Sequence, residues 1–185
     1  MRIYLREINP KDSEYIVKWR NRPQVLKHCM DDSLITVESQ LLFYNTNILT
    51  RKYLQFMVEK MDETYGTFSY PIASVYLKNL DKENGKCELG MIPSDDSEWD
   101  DEAKAEAIRQ LTLRAFHEYH FHKVYAYVFA DCEDEVRLME SVGFEREGYF
   151  REDVRGKDGA YRDVDRMFRI DDRMSALIKK HDQMG

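Results

Sequence analysis

The run Phe116-His117-Glu118-Tyr119-His120-Phe121-His122-Lys123-Val124-Tyr125, then Glu140-Ser141-Val142-Gly143-Phe144-Glu145-Arg146-Glu147-Gly148, then Asp158-Gly159-Ala160-Tyr161-Arg162-Asp163-Val164, decides the fold. It reads as the end of a helix, a strand, a short helix closed by glycine, and two more strands. Upstream, Ala103, Ala107, Leu111, Ala115 and Tyr119 recur at helical spacing, and Ile108 and Phe116 widen the apolar face. That pattern predicts a long helix packed on a sheet. Val124 to Phe129 is apolar on both faces, as a central strand must be. Glu133 to Val142 is a short helix, with Gly143 as the left-handed residue that ends it. Phe144 to Arg151 and Tyr161 to Ile170 are the last strands, joined by the turn Gly156-Lys157-Asp158-Gly159.

The N-terminal half is richer in hairpins. Ile3 and Leu5 alternate with polar residues in a short strand, and Asn9-Pro10-Lys11-Asp12 turns the chain into a helix capped by Asp12 or Ser13. Ile16, Val17, Trp19 and Arg20 belong to that helix, which Pro23 should stop. Thr36 with Ser39-Gln40 opens a second helix carrying Val37, Leu41, Leu42, Tyr44 and Ile48. Strands are expected at Tyr53 to Val58, Pro71 to Leu77 and Cys87 to Ile92, the last two joined by a turn holding Asn84-Gly85.

Composition narrows the function. A chain of 185 residues fits one domain, residues 1–185, with a single core. Lysine and arginine number 28 against 35 acids, a net charge of -7 that disfavours nucleic acid and anionic membranes as partners. Cys29, Cys87 and Cys132 are an odd number without metal-type spacing, which suits reduced thiols in the cytoplasm. No apolar run reaches the roughly 18 residues of a membrane span, and the start lacks a signal-peptide core. His117, His120 and His122 straddle a helix end without a carboxylate ligand at useful spacing, so no metal site is expected.

The order β-α-α-β-β-β-α-β-α-β-β resembles the GNAT N-acetyltransferases, within them the branch of spermidine, ribosomal-protein and amino-sugar acetyltransferases. The resemblance runs from Leu5-Arg6 through Trp19-Arg20-Asn21-Arg22-Pro23 and Pro71-Ile72-Ala73-Ser74-Val75 to Ile170. It implies an α/β (α+β) domain with a central mixed, mostly antiparallel sheet flanked by helices. It also implies acetyl-CoA as cofactor and a primary amine as acceptor, either a small amine or a basic peptide, and it allows a homodimer.

Three elements carry that chemistry in the family. The first is a glycine-rich turn at the start of the long helix, where backbone N–H groups hold a pyrophosphate. Its pattern Gln/Arg-x-x-Gly-x-Gly/Ala falls here on Trp99-Asp100-Asp101-Glu102-Ala103-Lys104, so Glu102, Ala103 and Lys104 are the cofactor candidates while side chains replace the glycines. The same acids, Asp100, Asp101 and Glu102, read more readily as helix caps that complement the dipole. The second element is the splayed strand Glu88-Leu89-Gly90-Met91-Ile92, whose Met91 and Ile92 would hold pantetheine through their backbone, with Glu88 the candidate base or else an ion pair with Lys86 or Arg109. For the third, the family's cofactor-contacting asparagine falls on Cys132 and its tyrosine acid on Met139, which cannot donate a proton. Cys132 as nucleophile is opposed by Asp131, Glu133 and Asp134. Trp19, Arg20, Asn21 and Tyr161 are candidates for the acceptor groove, with core or fold-supporting roles as their alternatives. Asp95, Asp96, Glu98, Asp100, Asp101 and Glu102 would favour a cationic partner. Two readings therefore stand, an N-acetyltransferase and a catalytically degenerate GNAT-fold binding module.

Overall fold

Alternation decides the first strand, β1 (Ile3–Glu7), where Ile3 and Leu5 are buried and Tyr4 is exposed. The computed structural model describes residues 3–27, 33–62, 68–156 and 159–173. After β1, Asp12 takes the N-cap position of the first helix as expected, without a side-chain capping bond, and the 3-10 turn before it is capped by Asn9. Its side chain accepts from the Lys11 N–H at 3.0 Å, and Asp12 accepts from the Asn9 N–H at 2.8 Å. This reciprocal cap sets Pro10 at the first position of a 3-10 turn that leads into α1 (Ser13–Arg20). Pro23 does not merely end a helix. It opens a second short one, α2 (Pro23–Leu26), because its missing N–H costs nothing at a first position. α3 (Val37–Phe43) is capped by the expected Thr36–Ser39 pair and runs into a π-helical turn at Tyr44–Ile48.

The remaining elements are β2 (Leu54–Met61), β3 (Ser69–Asp81), β4 (Lys86–Pro93), α4 (Asp101–His117), β5 (Lys123–Phe129), α5 (Glu133–Ser141), β6 (Glu145–Arg155) and β7 (Tyr161–Ile170). One sheet holds all seven strands in the order β1-β2-β3-β4-β5-β7-β6, antiparallel throughout except where β4 meets β5. β5 is interior, as its two-sided apolarity requires. α4 and α5 cover one face, where Ala107, Ile108, Leu111 and Ala115 meet Phe56, Val75, Leu77, Val124 and Met167. On the other face Ile16 and Trp19 of α1 pack with Ile8, Met57 and Ile92, beside Ile35, Tyr44 and Ile48. Cys29 and the Lys157-Asp158 half of the last turn lie outside the described residues. No helix among the described residues is long and apolar enough to cross a membrane.

One polar cluster ties the N-terminal elements together. The Arg6 guanidinium meets both oxygens of Asp12, at 2.8 and 3.0 Å, and Glu59 at 2.8 Å. Both carboxylates are nearly buried while Arg6 is half-exposed. The hydrogen bond to Asp12 raises the Arg6 pKa against the opposing effect of burial. Removing the cation would strand two buried carboxylates, the costly half of breaking any buried pair. Arg6→Met should therefore lower unfolding free energy by about 3–5 kcal/mol in urea titrations. A loss under about 1 kcal/mol would place this cluster with ordinary surface pairs.

Candidate active site

The parallel ladder between β4 and β5 has only three rungs, Lys86↔Lys123, Cys87↔Val124 and Glu88↔Tyr125. Beyond Glu88 the two strands separate. Each stays anchored on its far side, β4 to β3 as far as Ala73↔Pro93 and β5 to β7 as far as Phe129↔Val164. The gap is thus a built feature inside a continuous sheet, not a frayed end. A cavity of about 810 Å³ runs through it, bounded by Leu89 to Pro93 on one strand and Ala126 to Val128 on the other. Side chains alternate across a sheet, so the gap connects the face covered by α4 and α5 with the face covered by α1 and α3. Met91 and Ile92 line it where the sequence placed them. Gly90 has a different duty, because a Cβ there would fall 2.4 Å from the Tyr76 ring that lies across it.

Glu88 occupies the last rung and is only 7% exposed. Its partners differ from those expected. Lys78, directly opposite on β3, places Nζ 3.0 Å from Oε1, and the Asn79 side-chain amide donates to Oε2 at 2.8 Å. Lys86 instead faces Asp81 at 3.7 Å, and Arg109 pairs with Glu106 along α4. Asn79 reaches Glu88 from a left-handed backbone with φ of 50°, at a break in the β3–β4 register between Lys78 and Asp81. Asparagine tolerates that region better than most residues, so the bulge and the amide come together. Around the carboxylate, burial raises the Tyr53 pKa well above the usual phenol range, Tyr76 and Glu88 add to the shift, and Arg20 opposes it. Burial also raises the Tyr125 pKa, again with help from Glu88.

At the start of α4 the acids act as caps and ion pairs. Asp100 is the N-cap, accepting the Ala103 N–H at 2.9 Å, and Asp101 holds Lys104 at 2.8 Å. Asp96 accepts from the Glu98 N–H at 2.9 Å, Glu98 pairs with Lys60, and Asp95 stands 3.7 Å from Arg22. The acidic run is therefore largely satisfied within the molecule and is not an open cation-binding rim. Trp99, only 6% exposed, forms part of the cavity wall beside it. Of the expected cofactor residues here, Lys104 lines the cavity. Ala103 is buried beneath the helix, and Glu102 borders a small separate depression with Ile3 and Arg109.

Other candidates part company. Arg20 lines the cavity, but Trp19 does not, being 3% exposed and packed in the α1-side core. Asn21 is a clamp, bonding both the carbonyl and the N–H of Ile35 at 2.7 and 2.9 Å. Tyr161 is exposed at the start of β7, with the Arg155 guanidinium 5.8 Å from its ring. Cys132 precedes α5 outside the cavity wall, where burial and then Glu135 and Asp131 push its thiol up to about 11. That shift opposes thiolate formation at neutral pH. Asp134, Glu135, Leu138 and Met139 of α5 line the cavity in its stead. Sequence reasoning missed Tyr53, Tyr76, Lys78 and Asn79. Only Lys78 left a trace, as the first charge after the apolar run of β3.

A family model described as an Acetyltransferase (GNAT) domain matches residues 2–145. Comparison with curated proteins gives no match. Among solved structures, a spermidine N-acetyltransferase from Vibrio cholerae in complex with CoA and spermine superposes with a TM-score of 0.80 at 22% identity, over 91% of this chain and 95% of that one. A chimera of the Vibrio cholerae enzyme with hSSAT gives 0.79 at 21% identity, over 92% and 96%. At these identities the likeness carries the fold, and the domain match carries the family. The chain belongs to the GNAT acetyltransferase family, whose members move an acetyl group from acetyl-CoA to an amine.

Proposed function

We propose that this protein transfers an acetyl group from acetyl-CoA to a small primary amine in the cytoplasm, with Glu88 receiving the acceptor's proton. The observation that carries the reading is the separation of β4 and β5 at Glu88↔Tyr125, which sets a buried carboxylate at the mouth of a gap through the sheet. The gap suits an extended pantetheine arm, which would lie along Met91 and Ile92 and use backbone groups that no neighbouring strand takes up. When bound, acetyl-CoA supplies the thioester carbonyl as electrophile. The chain supplies the rest. Lys78 and Asn79 hold and orient the Glu88 carboxylate. Each of its oxygens keeps lone-pair capacity for an amine or a bridging water. Tyr53, Tyr76 and Tyr127 line the same cavity and can donate a proton to a leaving thiolate, where Met139 cannot.

Thiol release measured against a panel of primary amines tests this directly. Glu88→Gln should lower kcat by roughly a hundredfold, the lower end of what a positioned acid or base contributes, whereas Met139→Leu should leave it within about twofold. Turnover unaffected by the glutamine would remove Glu88 from the chemistry and leave solvent as the base.

The start of α4 yields a second expectation. Its Ala103 N–H is taken by Asp100, and its one cavity-facing cation is taken by Asp101. The nucleotide half of acetyl-CoA should then add little affinity. Calorimetry should find acetyl-CoA and S-acetylpantetheine within about threefold of each other, since anions near carboxylates lose roughly 1 kcal/mol per close pair. Asp100→Gly with Asp101→Asn should tighten acetyl-CoA alone, and the glycine should cost only a few tenths of a kcal/mol as a cap. Much tighter binding of acetyl-CoA than of S-acetylpantetheine by the unaltered protein would show that the phosphates find another seat.

A further inference from the structure

The α1 side of the cavity carries a pair of uncharged polar side chains that the acetyl-transfer chemistry does not use. Along β2, Leu54, Phe56 and Val58 turn toward the α4 layer and Met57 toward α1, so alternation puts Gln55 on the α1 side. Gln55 is 4% exposed, lines the cavity and stands opposite Tyr76, which in turn stands opposite Gly90. A short chain of hydrogen bonds fixes its amide. The fully buried Ser74 gives its one hydroxyl proton to the Phe56 carbonyl at 2.9 Å, so its Oγ can only accept from Gln55, at 3.0 Å. That identifies the nitrogen end of the amide and leaves Oε1 as the free end. Among the described residues nothing donates to that oxygen, and it is not sealed from open space. Gln40 of α3 lines the same cavity at 6% exposure, and its side-chain amide makes no hydrogen bond among the described residues.

An amide withdrawn this far from water and left unmatched costs stability, and a bound molecule that matches it recovers that cost. The walls beside the pair are Ile16, Val25, Ile35 and Phe43, which suit an alkyl chain. A hydroxyl at the end of such a chain can donate to Gln55 Oε1 and accept from the Gln40 amide. An ammonium in its place would be desolvated against uncharged oxygens. From Glu88, Gln55 lies two strands across and two residues along, a Cα separation of about 12 Å. A five-carbon chain with a hydrogen bond at each end spans a similar distance.

We propose that Gln55, oriented by Ser74, and Gln40 form a recognition pair for a hydroxyl on the acceptor, which is a small amino alcohol. The proposal rests on the acetyl-transfer reading for the fate of the amine, but the hydroxyl preference belongs to the cavity and is measured without acetyl-CoA.

Pentylamine, 5-aminopentan-1-ol and cadaverine share one chain length and differ at one end, where they carry a methyl, a hydroxyl or an ammonium. Binding of each to the full-length protein is measured by calorimetry. The amino alcohol is expected to bind about fivefold more tightly than pentylamine, the worth of one net hydrogen bond. Gln40→Met should bring that ratio to about one without lowering the melting temperature, because the amide it removes bonds nothing among the described residues. A side chain kept only for the fold would show the opposite pattern. Gln55→Met should also bring the ratio to about one. Equal binding of the amino alcohol and pentylamine, or no binding by any of the three, overturns the proposal, and so does a ratio that survives both substitutions. Cadaverine binding more tightly than the amino alcohol overturns it too, by giving the deciding role to the carboxylates of the cavity. Thiol release from acetyl-CoA is followed with the same three amines. A hydroxyl preference without thiol release would count against acetyl transfer and leave the recognition pair standing.

Discussion

Two neighbouring strands that part inside a sheet leave backbone N–H and C=O groups facing one another across a gap too wide to bond. Unpaired buried backbone is expensive, so a sheet opens in this way only where something else holds it open. Here the outer partners do so. β3 and β7 hold β4 and β5 by their far edges past the point of separation, and the two helical layers close over opposite faces. Tyr76, lying across Gly90, wedges one wall of the gap where any side chain on Gly90 would collide with it. The Tyr53 ring continues that wall, 5.0 Å from Tyr76 between centroids, with Phe43 of α3 edge-on behind it at 4.9 Å. The cavity is thus shaped by aromatic stacking on one side and by α5 side chains on the other.

The start of α4 illustrates a competition for the same few hydrogen bonds. A helix N-terminus presents donors that either a bound anion or a capping side chain can satisfy. This chain uses Asp100, and its neighbouring acids are absorbed by Lys60, Lys104 and Arg22. The helix gains stability from its own sequence and gives up part of the anion affinity that glycines would leave available. The family relationship and the departure from the glycine pattern are therefore compatible, because the gap is built by β4 and β5 and not by this turn.

The architecture was legible because its signals are local and periodic. The Ala103-Ala107-Leu111-Ala115 face, the two-sided apolarity of Val124 to Phe129 and the cap at Thr36 each follow from the chemistry of a short window, and the structure has them where the sequence put them. The surroundings of Glu88 were not legible, because a cross-strand partner depends on register. Lys86, two residues away on the same strand, looked near in sequence, whereas Lys78 is the residue directly opposite. Reading β3 as ending at Leu77 hid the bulge that brings Asn79 into place. Trp19 and Asn21 flank Arg20, which lines the cavity, but helical geometry turns neighbours to different sides. One was sent into the core and the other to the Ile35 backbone.

Two side chains of α4 reach across to the N-terminal edge of the sheet. Gln110 donates to the Ile3 carbonyl at 3.1 Å, and Arg114, its guanidinium 5.1 Å from the Phe56 ring, donates to the Leu5 carbonyl at 2.9 Å. These carbonyls alternate along β1, the pattern of acceptors that an incoming strand would use. With both occupied, that edge offers a stray chain little to add onto. The opposite edge, β6, is blunted by other means, with register breaks after Arg146 and Phe150 and a left-handed Glu152. A sheet that opens in its middle, between β4 and β5, is thereby guarded at both margins against growing by recruitment.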